Sequence, residues 1–284
     1  MFEGRIGTVL GGRYELISVL GSGGQSAVYR ARDRKDGDEV AVKVLLPTTD
    51  PSAIERMYRE AFAMSSLAGT AAVRVLHQVI DPDGTRGLVM ELLHGCDLLD
   101  WLEAREKRKQ MVTTAELKAL AEPLVLTLEM AHSVGIVHRD IKPPNVWMID
   151  EAHGGGVRLL DFGFAKLTRS VGITDADSVA GTPTFIAPEV FMHGASKADS
   201  RADVYSLAVL FYRVLSGRVP FEAKSIYELL KKVTTAPRPS LHALRPDLSK
   251  DVDDWVQIAL AVDRDHRFER VRAMWNALTA CLPA

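Results

Sequence analysis

The chain has 284 residues, 47% hydrophobic and 25% charged, a balance that excludes a disordered or fibrous protein and allows one large domain or two lobes sharing a cleft. A formal net charge of -2 leaves no overall basic footprint for nucleic acid. Two cysteines, Cys96 and Cys281, stand far apart without disulfide-like spacing and suggest free thiols in a reducing compartment.

The opening MFEGRIGTVLGG lacks the positive start and apolar core of a signal peptide. The longest conspicuous uncharged run, Val204 to Tyr212, is far shorter than the roughly 20 apolar residues a membrane helix needs, and it reads as part of a buried core helix. These features predict a soluble, cytoplasmic chain. Arg13 to Leu20 and Ala27 to Arg32 are strand-like on either side of Gly21–Gly24, Asp36-Gly37 is a hairpin turn, and Val40 to Leu46 is a further strand. Asp50-Pro51 starts a helix, with Asp as cap and Pro in the first turn, and its apolar face carries Ile54, Met57, Ala61 and Met64 with Glu60 beside them. Strands over Val73 to Ile80 and Gly87 to Leu92 follow. After Gly95 the pattern turns helical: Thr113 to Glu116 fits a capping box, Leu117, Leu120, Leu124 and Leu128 keep helical spacing, and Pro123 predicts a kink. Val146 to Ile149 and Val157 to Leu160 form a short hairpin, and from Asp203 onward the chain is mostly helical. The predicted organisation is an N-terminal extension over 1–12, a small antiparallel β-rich lobe with one main helix over 13–93, and a larger, mainly helical lobe over 94–284. The class is α+β.

Gly21-Ser22-Gly23-Gly24-Gln25-Ser26 lies between two strands. Glycines let a backbone close over phosphates because no Cβ blocks the approach, although an ordinary hairpin loop has the same composition. The next helix comes only after another strand, which argues against a dinucleotide-binding β-α unit, and the Gly-Lys-Ser/Thr ending of a P-loop is missing. Lys43 sits inside the apolar strand Val40-Ala41-Val42-Lys43, where a charge needs a partner. Glu60 is the candidate partner; the alternative is two snorkelling surface residues. His138-Arg139-Asp140-Ile141-Lys142-Pro143-Pro144-Asn145 follows the long helix, and Asp161-Phe162-Gly163 follows a short strand. Asn145 and Asp161 supply hard oxygens suited to magnesium carried on ATP, and Asp140 is placed to accept a substrate hydroxyl proton.

In this order and spacing, together with Gly181 to Glu189, Asp203-Val204-Tyr205-Ser206-Leu207 and Asp265-His266-Arg267, these motifs resemble the eukaryotic-like serine/threonine protein kinases, with a bacterial cast, over nearly the whole chain. The resemblance implies the bilobal kinase fold, ATP and magnesium as cofactors, and protein serine or threonine hydroxyls as acceptors. It gives Gly21 and Gly23 to the phosphate loop, Val28 and Ala41 to the roof over adenine, Met90 to the gatekeeper position, Glu91 to Leu93 to the hinge, and Asp97 to ribose. Lys43 would orient phosphates, Asp140 the attacking hydroxyl, and Lys142 with Thr182 the γ-phosphate. Met64, Val75, His138 and Phe162 resemble the hydrophobic spine, and Glu189 with Arg267 a structural ion pair. Arg139 implies a phosphate on the activation segment between Asp161 and Glu189, with Ser178 the first candidate and Thr174 the second.

Three departures stand out. Ser26 replaces the last loop glycine, a mild change. Trp147 stands where a medium aliphatic residue normally forms the floor under adenine, which predicts a narrowed pocket unless the ring turns into the core. Pro144 replaces an acidic residue common in relatives and weakens any expectation of strong arginine preference. Two other functions compete. A pseudokinase scaffold is supported only by Trp147, since Lys43, Glu60, Asp140, Asn145 and Asp161 are all present. A small-molecule phosphotransferase of related fold is disfavoured by the segment Gly181 to Glu189. Bacterial relatives often continue into a membrane helix and a sensor domain, so the resemblance suits a whole protein and an excised domain alike.

Overall fold

The computed structural model describes residues 3–23, 26–45, 51–162, 183–194 and 198–283. The chain divides into two compact units, Met1–His94 and Gly95–Ala284. The first is a six-stranded antiparallel sheet in the order β1-β2-β3-β4-β6-β5 with one helix. Its strands are β1 (Val9–Leu10), β2 (Tyr14–Ser22), β3 (Ser26–Asp33), β4 (Glu39–Leu45), β5 (Val75–Ile80) and β6 (Arg86–Glu91), with α1 (Pro51–Ser66) between β4 and β5.

Period-two alternation decides which way each side chain points. Val40, Val42 and Val44 of β4 join Leu10, Tyr14, Leu16, Tyr29 and Ala31 in one apolar core. Leu45, on the opposite face of β4, packs instead on Ala53 and Met57 of α1. The predicted apolar face of α1 is buried at Met57, Ala61 and Met64, and Glu60 is buried with it. Asp50, expected to cap this helix, lies outside the described residues, as do Gly24 and Gln25 of the loop. The strand β1 was not expected: two residues between glycines carry no periodic signal, yet Val9 and Leu10 pair with Glu15 and Tyr14.

The second unit begins with a three-stranded antiparallel sheet of β7 (Gly95–Asp97), β8 (Val146–Ile149) and β9 (Val157–Leu159) in that order. Gly95 has φ 134, and a Cβ there would sit 2.0 Å from the Met148 carbonyl oxygen, so the close approach of β7 to β8 requires glycine. The helices are α2 (Leu98–Lys107), α3 (Thr114–Ser133), α4 (Pro188–His193), α5 (Ser200–Ser216), α6 (Ile226–Thr235), α7 (Val252–Ala259) and α8 (Val271–Cys281). The Thr113–Glu116 capping box forms as expected. α3 runs on through Pro123, and the Thr127 hydroxyl donates to the Pro123 carbonyl within the same helix. α5 is buried throughout the uncharged run read as a core helix, and it lies against α3, α7 and α8. No helix among the described residues is long and apolar enough to cross a membrane.

Candidate active site

In the first unit, strand register gathers the predicted nucleotide residues on one face of the sheet. Gly21 pairs with Val28, Val28 with Lys43, and Ala41 with Met90. Directly opposed residues share a face, so Gly21, Val28, Ala41, Lys43 and Met90 all lie on the side of the sheet opposite the apolar core. The Gly23 amide donates to the Ser26 carbonyl at 2.8 Å and closes the turn from within. Lys43 Nζ donates to Glu60 Oε1 at 2.6 Å, with the two side chains 18% and 11% exposed. The same alternation that points Leu45 at α1 points Lys43 there, two residues earlier, so the charge in the strand finds the carboxylate in the helix. At the end of β6 the Glu91 amide donates to the Arg74 carbonyl and the Glu91 carboxylate accepts from the Arg74 amide. Leu93 follows, half-buried, just before the boundary. Met64 is buried in α1, and Val75 pairs with Met90.

In the second unit, Asp97 ends β7 and caps α2, accepting from the Asp100 amide at 2.9 Å. Trp147, at the centre of β8, stands opposite Asp97 on one side and Arg158 on the other. It is half-buried, and among the described residues its buried indole Nε1 has no hydrogen-bond partner. Cys96 is half-buried beside it. Burial pushes its thiol up, and the carboxylates of Asp100, Asp97 and Asp150 push the same way, so it is held as the poorly nucleophilic thiol.

The loop from His138 to Asn145 is built around Asp140. The Asn145 amide nitrogen donates to the Asp140 carbonyl at 2.7 Å and to its carboxylate at 3.0 Å, and Lys142 Nζ stands 3.1 Å from the same carboxylate oxygen. The Asp140 amide donates to His138 Nδ1 at 3.2 Å, and His138 Nε2 donates to the Leu160 carbonyl at 3.0 Å. These bonds assign the His138 tautomer, and complete burial lowers its pKa, so the ring stays neutral. The Leu160 amide donates to the Asn145 carbonyl at 2.8 Å. One bond later the chain reaches Asp161, which is exposed and held at φ 48. Phe162 is buried, its ring centroid 4.6 Å from that of His138. Asp140, Lys142, Asn145 and Asp161 are thus tied into one local structure.

Arg139 has φ 65, and its buried Nε has no partner among the described residues. Burial lowers the pKa of its guanidinium, and the nearby Asp203 opposes that shift. Asp203 is fully buried, and its two oxygens accept from the amides of His138 and Arg139 and from His132 Nε2, each at 2.8 Å. Burial alone would raise the Asp203 carboxyl, but the His132 hydrogen bond and the nearby histidines and amides hold it below the usual carboxylate range. His132 was not among the expected site residues; a histidine interrupting the apolar end of α3 is the only signal the sequence offers for it. Glu189 and Arg267 form the expected buried ion pair. Thr182, Ser178 and Thr174 lie outside the described residues.

Residues 14–277 match the protein kinase domain family. The serine/threonine-protein kinase PrkC of Bacillus subtilis is 33% identical over 271 residues, covering 95% of this chain and 40% of PrkC. The serine/threonine-protein kinase PknA of Mycobacterium tuberculosis is 35% identical over 283 residues, covering 97% of this chain and 63% of PknA. Among solved structures, the PknI kinase domain of Mycobacterium tuberculosis is similar with a TM-score of 0.72 at 25% identity, over 97% of this chain and 98% of that one. The chain therefore spans 40% of one of these curated relatives and 63% of the other.

Proposed function

The chain belongs to the protein kinase family, as a kinase domain of the bacterial serine/threonine type, and from that premise we propose that it transfers the γ-phosphate of ATP to serine or threonine hydroxyls of a protein substrate. The observation that carries this reading is the hold on Asp140, whose carboxylate is fixed by Asn145 and Lys142. Phosphoryl transfer has a loose transition state, so the protein's task is to position groups and balance charge. Asp140 orients the attacking hydroxyl and accepts its proton late in the transfer. Lys142, beside it, offers its ammonium to the γ-phosphate. Lys43 binds the α- and β-phosphates with its orientation set by Glu60, and Gly21 and Gly23 let the backbone close over them. Val28, Ala41, Met90, Glu91 and Leu93 receive the adenine and Asp97 the ribose. The lobes are assigned as 13–93 and 94–284.

The donor set fits magnesium. Asn145 spends its amide nitrogen on Asp140, which leaves its oxygen for a cation, and Asp161 adds an exposed carboxylate. Two protein oxygens suit an ion that keeps waters and phosphate oxygens for its other positions. When bound, magnesium neutralises charge on the phosphates.

Incubating the full chain with magnesium and ATP, beside an Asp140→Asn control, and reading intact mass tests the function. The intact chain is expected to gain phosphate on serine or threonine and the control is not. Absence of transfer both to itself and to added protein substrates would overturn the assignment in favour of a nucleotide-binding scaffold. Peptide mapping of the same sample tests the regulatory half of the proposal, in which a phosphate on Ser178, or secondarily Thr174, pairs with the guanidinium of Arg139, whose Nε has no partner among the described residues. No phosphate anywhere from Thr168 to Thr182 would end that idea. Signalling through protein phosphorylation in the cytoplasm follows from the same reading.

Trp147 bears on nucleotide affinity. Its ring fills space that a smaller aliphatic side chain would leave to adenine, so Trp147→Leu is expected to tighten magnesium-ATP binding by about fivefold, measured by calorimetry. Unchanged affinity would mean that the ring does not border the nucleotide.

A further inference from the structure

The ladder between β5 and β6 ends irregularly. Val75 and Met90 are its last opposed pair, so Arg74 and Glu91 come next. The Glu91 amide donates to the Arg74 carbonyl at 3.0 Å, which marks the two as a hydrogen-bonded pair. Such a pair is completed by a return bond, here from the Arg74 amide to the Glu91 carbonyl. That return bond is diverted: the Arg74 amide donates to Glu91 Oε1 at 2.8 Å. The carboxylate of Glu91 thus stands in for the carbonyl of its own residue. It is the stronger acceptor of the two, and a backbone amide has a single proton to give. The diversion falls where the ladder stops, since β5 begins at Val75, β6 ends at Glu91, and Leu92 and Leu93 lie outside any strand.

A strand-edge carbonyl from which the ladder partner has been drawn away can accept from a ligand, as when a peptide adds to a sheet edge. Adenine carries a matching donor, its 6-amino group. We propose that the Glu91 carboxylate is a positioning residue for base selection: by holding the Arg74 amide it reserves the Glu91 main-chain carbonyl for the 6-amino group of adenine, and the site thereby prefers 6-aminopurine nucleotides. The proposal rests on the reading above in which Glu91 and Leu93 receive the adenine. Without the carboxylate, the Arg74 amide returns to the Glu91 carbonyl and competes there with the base. Glutamine keeps a side-chain oxygen at the same reach and still holds the amide, whereas leucine and alanine carry no acceptor.

The test compares the full wild-type chain with Glu91→Leu, Glu91→Ala and Glu91→Gln. Calorimetry measures the binding of magnesium-ATP and of magnesium purine riboside triphosphate, the same nucleotide without its 6-amino group. Wild type is expected to bind ATP about tenfold more tightly than the analogue. Leucine and alanine are expected to weaken ATP binding by at least about fivefold and to leave the analogue within about twofold of wild type, so that the preference falls to about twofold or less. Glutamine keeps a preference of about fivefold or more. A purely structural role for the side chain would weaken both nucleotides alike. Equal losses for the two nucleotides, an undiminished preference in the leucine and alanine variants, or a glutamine variant as indifferent as leucine would overturn the proposal. If the leucine variant does not fold, alanine carries the same comparison. Binding and transfer are read separately. A wild-type chain that transfers phosphate while its variants keep the full preference sinks this proposal alone, and one that shows the expected pattern but transfers no phosphate removes the kinase reading alone.

Discussion

Asp161→Asn is expected to lower turnover of a protein substrate about a thousandfold or more, with the melting temperature shifted by no more than about 2 °C. The two halves of this expectation separate because of how the residue is held. Its own side chain is exposed, while the residues beside it are anchored: Leu160 bonds Asn145 through its amide and His138 through its carbonyl, and Phe162 is buried against the His138 ring. The backbone at Asp161 is held at φ 48 between these two anchored neighbours. Asparagine tolerates that conformation about as well as aspartate does, so the substitution removes a charge and leaves the fold intact. Turnover at saturating magnesium-ATP and a thermal melt of the same samples check it. Near-normal turnover would show that Asp161 is not a ligand of the metal, and a large drop in melting temperature would show that its carboxylate is structural.

Much of this site was legible because the chemistry restricts residue types. Lys43 was conspicuous as a charge inside an apolar strand, Glu60 as a charge beside an apolar helix face, and the structure joins them at 2.6 Å. The sheet was legible for a similar reason: β-branched residues alternate in β4, and Asp36-Gly37 marks the turn before it. What escaped was whatever depends on distance through space rather than along the chain. β1 and β7 are two and three residues long and are defined by their partners, not by a pattern of their own. His132 is placed by a bond to a residue 71 positions away. The left-handed backbone at Arg139 and Asp161 is imposed by tertiary hydrogen bonds on residues whose local preference is otherwise. Sequence reasoning thus finds the groups that do chemistry more readily than those that aim them.

Arg267→Met is expected to destabilise the chain by about 3–5 kcal/mol, a large fraction of a typical domain's stability, and to lower its melting temperature by about 10 °C. The Arg267 side chain is 0% exposed and that of Glu189 10%. The guanidinium meets Glu189 in a two-point contact, at 2.9 and 2.7 Å, and donates further to the carbonyls of Ala261, Arg201 and Val262. Five N–H groups meet five acceptors, and the guanidinium carbon stands 5.0 Å from the centroid of the Tyr205 ring, over its face. One side chain thereby ties α4 to α5 and to the segment that ends in Arg267. Methionine leaves the Glu189 charge buried without its partner and strips those carbonyls of a donor. A double variant, Glu189→Met with Arg267→Met, removes the stranded charge and should cost less than Arg267→Met alone, because most of the single-variant penalty belongs to the unpaired carboxylate. Thermal and denaturant melts of Glu189→Met, Arg267→Met and the double variant measure the coupling directly. Additive losses would mean that the carbonyl contacts, rather than the ion pair, hold α4 in place.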